Sequence, residues 1–530
     1  GRPARPRPSQ PPSSTSIWRF LEAFSLTGEK GSLSSLSKAD AKRPTDCLDG
    51  MKVLSMFFII LGHGCSEAKY VAGYRNMDEV IDAFSTSPFS SIFCSGHLCV
   101  DTFFFISGFL LSHMGRRRAT PLSLGVLHRY RRLLPLLSFV MMMYICVVPH
   151  LASGPFAPRF QSEVLSSCKG ENWWSQLLLI SDWYPWSTLN GGCMGWAWYL
   201  SVDMTFAIVG MVLLNIWKRS APLGWVCAAL LFCGCVVLTI QQAWYYELRY
   251  HMVDTSFHEY SHYLYTRPYA RFPCFCVGLV APWGIAAHEE RERRRRRQRQ
   301  QRPATVLLGA APPPPPPAPV RRSCCAAAMA LFAVAVMATC AFYPLWSIGT
   351  PSATGGSRSC RNAECWSRWE SALWIGLSRP AWATAWLALT LACYFNWLPM
   401  VDRVLAASVF RPLSDLTFGA YLTHPFIIRL LAANRTDYYS FSYGDALGRG
   451  LFYFVVAYAV AVVVWCLVEK PFDKLMARLV PRRGGTSGAG RRAAGAAAAR
   501  SKSPGARDAA GAATAAAAVA GGVTPPTSWP

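Results

Sequence analysis

Charge is scarce in this chain: Asp, Glu, Lys and Arg make up only 15% of its 530 residues, while 52% are hydrophobic. A set of soluble domains needs a more polar surface than that, so the composition is that of a membrane protein. Acids are scarcer still, 29 against 53 Lys and Arg. The resulting net charge of +24 would suggest nucleic acid only if it were spread over a soluble surface. It is confined to particular loops, and no nucleic acid is expected. Residues 1–16 are rich in Pro, Ser and Arg with no apolar core, which leaves no secretory signal to read there. An internal repeat of the kind that marks many secondary transporters is also missing.

Long apolar runs are what is there instead. A bilayer-crossing helix needs roughly 17–25 mostly apolar residues, because the hydrocarbon core offers no water to satisfy backbone amides. Ten stretches qualify, near 50–67, 92–113, 131–149, 197–217, 222–241, 270–287, 324–345, 372–396, 413–432 and 450–469. The fold class expected is all-α, a polytopic transmembrane helical bundle of about ten helices. Pro380 interrupts the eighth stretch and leaves 364–379 open to a re-entrant path.

The basic residues are sorted by loop. Arg116, Arg117, Arg118, Arg129, Arg131 and Arg132 follow the second stretch with no acid among them, and Arg293 to Arg297 follow the sixth. The tail beyond Lys470 is basic too, whereas the alternating loops mix signs, as from Glu67 to Asp82. The positive-inside rule then makes both termini of the chain cytoplasmic, in a multi-pass protein of the plasma membrane or an endomembrane. Cys168 with Cys193, and Cys360 with Cys365, fall in loops assigned to the other side, where disulfides form. The sequon Asn434-Arg435-Thr436 falls on that side as well. Three parts follow: a cytoplasmic segment 1–46, a transmembrane domain 47–475, and a disordered tail 476–530 rich in Ala, Gly and Arg. Within the domain, 288–322 joins the Arg run to Pro312–Pro317 and is expected to be a disordered cytoplasmic loop. Arg293–Arg297 would contact anionic lipid or serve only as topogenic charge.

Ionisable groups inside apolar helices are costly, so each is a functional candidate. Lys52 and His63 share a face of the first helix, eleven residues and about 16 Å apart. A neutral imidazole suits proton abstraction from a hydroxyl, and Gly62 and Gly64 would let a substrate or another helix approach. A histidine hydrogen-bonded between helices is the competing reading. Asp101 in the second helix and Asp203 in the fourth fall at a depth comparable to His63, where either would orient the imidazole or bind a hydroxylated acceptor. Helix capping competes for Asp101. At the opposite edge, His128-Arg129-Tyr130-Arg131-Arg132 precedes Pro135, and guanidinium pairs suit phosphate esters. Arg271 lies at the exterior mouth of the sixth helix, where an acceptor would enter or an interfacial anchor would sit. His424 precedes Pro425 in mid-helix and either joins a polar path or satisfies carbonyls freed by the kink. Lys52 alone would pass for a snorkelling anchor.

These segments together resemble the acyltransferase-3 family of integral membrane acyltransferases, and within it the nose-resistant-to-fluoxetine-like proteins of invertebrates. The family's pattern of a basic residue, ten residues and a histidine is met by Lys52 and His63. Val100 to Phe109, which includes Ser107, looks like its second-helix pattern, and Arg129, Arg132 and Pro135 match its arginine motif. Trp198-Tyr199-Leu200-Ser201-Val202-Asp203 is similar to a segment where many relatives have Glu at the last position. Tyr265 to Arg271, Gly419-Ala420-Tyr421-Leu422-Thr423-His424-Pro425 and Glu469-Lys470-Pro471-Phe472 continue the likeness, which spans about 46 to 475. Nose-resistant-like proteins also carry a Cys-rich exterior domain and one more helix ahead of this region, so the chain is expected to be an N-terminally incomplete sequence.

The resemblance implies transfer of an acyl group, acetyl by expectation, from cytoplasmic acyl-CoA to a hydroxyl in or across the membrane, on a small molecule or a lipid. His63, Asp203 and Asp101 are then the catalytic candidates. Lys52, Arg129 and Arg132 would meet the phosphates of CoA, Ser107, Arg271 and His424 the substrate, and no metal is expected. His63 would act as general base or carry the acyl group itself. A transporter or lipid-handling protein that kept the fold and lost catalysis is the alternative.

Overall fold

The structure, a computed structural model, describes residues 23–27, 31–36, 42–116, 121–168, 172–185, 192–248, 257–300, 319–346 and 367–479. Cys360, Cys365, Pro312–Pro317 and the tail from residue 480 lie outside them. The bundle ends at Met476, and 477–530 form a separate unit of which only the close of a helix is described.

Every one of the ten apolar stretches is helical, and among the described residues the only β pairing is one isolated bridge, Tyr74 to Tyr439. The helices that frame the bundle are α1 (Cys47–Val71), α2 (Gly96–Gly115), α3 (Leu122–Cys146), α4 (Trp198–Arg219), α5 (Ala221–Tyr245), α6 (Pro268–Gln300), α7 (Pro319–Trp346), α8 (Arg368–Tyr394), α9 (Pro399–Leu405), α10 (Phe410–Ala433) and α11 (Tyr443–Val464), with shorter helices between them. Ser367 and Glu370 close a capping box at the start of α8, and Ser442 caps α11 through the Asp445 amide.

Among the described residues eight helical segments are long and apolar enough to cross a bilayer, or nine if the bent pair α8–α9 counts as one crossing. The expected tenth, 131–149, lies in α3 and falls short. Arg129, Arg131 and Arg132 sit inside that helix, and only 133–146 beyond them is apolar.

Two sequence expectations are corrected here. Pro380 does not interrupt the eighth stretch: α8 runs through it without a break. The chain turns instead after Tyr394, where Asn396 adopts a left-handed φ of 54° and the Trp397 amide donates to the Ala392 carbonyl at 2.7 Å, so that α9 leaves at 103°. The Arg run does not begin a disordered loop, because α6 continues to Gln300. Arg is a good helix former, and Arg294–Glu290 and Arg295–Glu292 pair along the helix.

The crossing built on α6 is the most enclosed, with 72% of its apolar window buried, against 22% for α5 and 17% for the α7 segment Ala326–Tyr343, whose apolar faces are left to lipid. α2 and α6 touch backbone to backbone. A Cβ on Gly108 would stand 2.3 Å from the Phe275 carbonyl oxygen, and one on Gly278 2.0 Å from that of Phe105.

Chemistry differs between the two ends of the bundle. Arg116, Glu289 and the Arg run gather with the starts of α1 and α9 at one end. The Cys168–Cys193 disulfide, expected from the sequence, forms at the other. Asn434 is at that second end as well, its amide nitrogen donating to the carbonyls of Leu151 and Leu430, both at 3.1 Å, so the sequon asparagine clasps the close of α10.

Candidate active site

α1 and α10 lie side by side and bring two histidines together. The rings of His63 and His424 stack at 5.0 Å and 13°, with His63 Nδ1 2.8 Å from His424 Nε2. His424 is fully buried, and its Nδ1 lies 3.0 Å from the Ala420 carbonyl one turn back. A carbonyl only accepts, so His424 carries its proton on Nδ1. With both rings neutral, His424 Nε2 accepts from His63 Nδ1, and the lone pair left over is on His63 Nε2. Both ring nitrogens of His424 thus have partners, one the Ala420 carbonyl and the other His63.

The two glycines around His63 serve helices. A Cβ on Gly62 would meet the Phe93 carbonyl oxygen at 2.7 Å, and one on Gly64 the Tyr453 ring at 3.1 Å. Close packing on both flanks holds the imidazole in register while His63 itself stays partly open.

Asp203 is close to this pair without touching it. The Tyr199 ring, one turn before Asp203, packs on Tyr421 at 5.6 Å, and Tyr421 lies 6.2 Å from the His424 ring. Asp203 itself accepts from Ser107 Oγ at 2.5 Å and from Arg129 Nη1, while Arg129 Nη2 donates to Ser107 Oγ at 3.2 Å. Arg129 was expected at the membrane edge, opposite the acids. It reaches inward because Asp203 is a buried carboxylate and a guanidinium is its natural fork-shaped partner.

Asp101 is not a helix cap, since α2 begins five residues earlier at Gly96. Nor does it touch His63. It is fully buried and bonds Arg271 Nη1 at 2.7 Å, with Arg379 Nε at 3.6 Å from the same oxygen. Arg271 is equally buried, with its guanidinium over the Tyr265 ring at 4.5 Å, so it is no open interfacial anchor. Arg379 continues the cluster to the Tyr260 hydroxyl at 2.6 Å. Two cations on one carboxylate bind α2, α6 and α8 together. Removing one partner from a buried pair of this kind costs about 3–5 kcal/mol.

At the basic end Lys52 is held rather than snorkelling. Its ammonium donates to Asp49 at 3.2 Å and to Ser414 Oγ at 3.0 Å, and Ser414 donates to Asp49 at 2.7 Å. Of the three cations assigned to CoA phosphates, Lys52 and Arg129 are thus already matched by carboxylates. Arg132 is exposed, with no acid at ion-pair distance among the described residues.

Some residues that shape the site escaped the sequence reading. Arg429, in α10, bonds Glu67 at 2.5 Å and Glu163 at 2.9 Å, and Glu67 sits one turn beyond His63. Arg379 and Arg429 both lie inside apolar stretches, so the rule that singled out His63 and Asp203 applied to them equally. Tyr199 and Tyr421 were inside the quoted segments but carried no signal of their own.

The chain is 25% identical over 491 residues to nose resistant to fluoxetine protein 6 of Caenorhabditis elegans, covering 86% of this chain and 54% of that protein. It is 26% identical over 212 residues to regulator of hypoxia-inducible factor 1 of the same organism, covering 38% of this chain and 40% of that one. The chain therefore spans about half the length, or less, of these curated relatives. No solved structure matches it. The acyltransferase domain family matches residues 45–468, from the turn before α1 into the last crossing, and the chain belongs to that family of multi-pass membrane proteins.

Proposed function

We propose that the protein transfers an acyl group, acetyl by preference, from acyl-CoA to a hydroxyl presented within the membrane, with His63 as general base. The observation that carries this is the hydrogen-bonded series Ala420 carbonyl, His424, His63, which leaves His63 Nε2 as the proton acceptor. In the reaction the acceptor oxygen attacks the thioester carbon and its proton passes to Nε2. A C–O bond forms, the C–S bond breaks, and the proton leaves with the CoA thiolate as free thiol. His424 holds the tautomer that keeps Nε2 unprotonated, and it spreads the positive charge that His63 gains.

The donor is assigned to the basic end, with Arg132 and Lys52 meeting its phosphates and Asp49 yielding Lys52 as they arrive. That end is the cytoplasmic one on the positive-inside rule, which puts both termini of the chain there. Arg293–Arg297 would then lie against anionic head groups. The test is acyl-CoA consumption by the purified protein against His63→Ala. Acceptor-dependent turnover should vanish in the variant, and equal turnover in both would remove His63 from the chemistry. Labelled acyl-CoA without acceptor should leave His63 unacylated, since a base needs no covalent intermediate.

A further inference from the structure

At the basic end, away from the histidines, three metal-binding side chains meet, one of them remote in sequence from the other two. Cys47 opens α1, Cys393 is in the last turn of α8, and Asp402 is in α9, just past the bend. One ligand atom from each lies within 4.8 Å of the others. All three residues are buried. We infer that Cys47, Cys393 and Asp402 form a binding site for a thiophilic divalent cation of the zinc class, which ties the start of the His63 helix to the bend between α8 and α9.

The donor set argues for that class. Two thiolates and a carboxylate suit zinc, whereas calcium and magnesium take oxygen ligands. Tetrahedral ligation with Zn–S bonds of about 2.3 Å brings sulfurs to about 3.8 Å apart, so the observed spacing needs to contract by about 1 Å at most. Lys42 bonds Asp402 Oδ2 at 2.6 Å, yet its side chain is 64% exposed, a weak and displaceable partner. The carboxylate has a second oxygen to give. A fourth, water ligand would come from the side of Asp402 that Lys42 covers, since Lys42 itself is exposed.

Position gives the site its consequence. Cys47 lies five residues before Lys52 on α1, and α9 packs against the same turn, with Leu405 over Gly50. A cation there would fix the sharp bend between α8 and α9 against the helix that carries both Lys52 and His63. At a reducing face the thiols would remain available to a metal rather than join as a disulfide.

The test uses the full chain, purified in detergent under reducing conditions, stripped with chelator and titrated with Co2+ and Zn2+. One equivalent of Co2+ should bind, with a thiolate charge-transfer band and tetrahedral d–d bands that Zn2+ abolishes. Loss of an outer-shell partner alone costs about 10–100-fold in metal affinity, so Cys393→Ser should weaken Co2+ binding by more than about 100-fold. Cys274→Ser, a buried thiol elsewhere, should leave it unchanged. Because the wild-type titration needs no variant to fold, a negative result there decides by itself, and a positive one is assigned to the site by Cys393→Ser against Cys274→Ser. Absence of the thiolate band, or a Cys47–Cys393 disulfide in protein kept reduced, would overturn the site. Neither readout requires turnover, so failure here is distinct from failure of the acyl-transfer reading.

Discussion

His424 has one ring nitrogen on a backbone carbonyl and the other on His63, so its replacement should act through the tautomer of its neighbour. His424→Ala is expected to lower kcat by about 10–100-fold while leaving KM for the acyl donor nearly unchanged, the pattern of a lost positioning contact. Steady-state kinetics on monodisperse variant protein checks it, and a rise in donor KM with unchanged kcat would place His424 in binding instead. A second residue reports on pH. Asp182, in the loop at the disulfide end, is buried and accepts from Thr205 Oγ1 at 2.8 Å, while its other oxygen lacks a partner. Burial pushes its carboxyl up to about 6 from 3.8. A raised carboxyl binds its proton more tightly folded than unfolded, so its stabilising contribution is full below 3.8 and is lost as pH rises through about 6. Asp182→Asn should flatten that slope, read from the thermal unfolding midpoint in detergent between about pH 4 and 6. An unchanged slope would mean that Asp182 ionises freely in the fold. Of these residues the sequence singled out His63, Asp203 and His424, because a polar group within an apolar run is visible on its own. It could not reveal that His63 meets His424 rather than either acid, since that contact joins residues 361 apart.

At the scale of the element, the α2–α6 crossing is the most restrictive contact in the bundle. Gly278→Ala would set a carbon 2.0 Å from the Phe105 carbonyl oxygen, a backbone atom with no side chain freedom to move aside. The two helices must separate, and the Asp101–Arg271 pair spans the same crossing. A loss of about 3 kcal/mol is expected, seen as a lower Tm in detergent. Gly284→Ala, on the same helix with nothing within 4 Å, should cost nothing. Equal Tm values for the two variants would refute the close approach. The helices themselves were legible, because bilayer-length apolar runs leave the backbone no other closed hydrogen-bonding scheme. What misled was proline taken as a breaker at Pro380. A long helix packed on its neighbours tolerates one proline, and the real turn is set by the left-handed Asn396.

For the whole molecule, the separation of the Arg run from the Cys168–Cys193 end makes topology testable. In cells carrying the protein at the plasma membrane, a cysteine placed at Arg295 should react with an impermeant maleimide only after permeabilisation, and one at the exposed Asp437 should react in intact cells, each judged against the parent protein. The reverse pattern would invert the assignment of the basic end to the cytoplasm and with it the side from which acyl-CoA arrives.

What the sequence determined by itself is the part governed by local rules: where the chain is helical, which loops share an end, and that Lys52 and His63 share a face. Periodicity and loop charge need only neighbours along the chain. What tertiary structure alone decided is partnership. Arg129 with Asp203, Asp101 with Arg271 and Arg379, His63 with His424, and the two thiols with Asp402 are all set by how deeply one helix slides past another. That register follows from close contacts at Gly62, Gly108 and Gly278. No spacing within one helix encodes it, because in a bilayer the apolar surfaces of all the helices look alike and only packing distinguishes them.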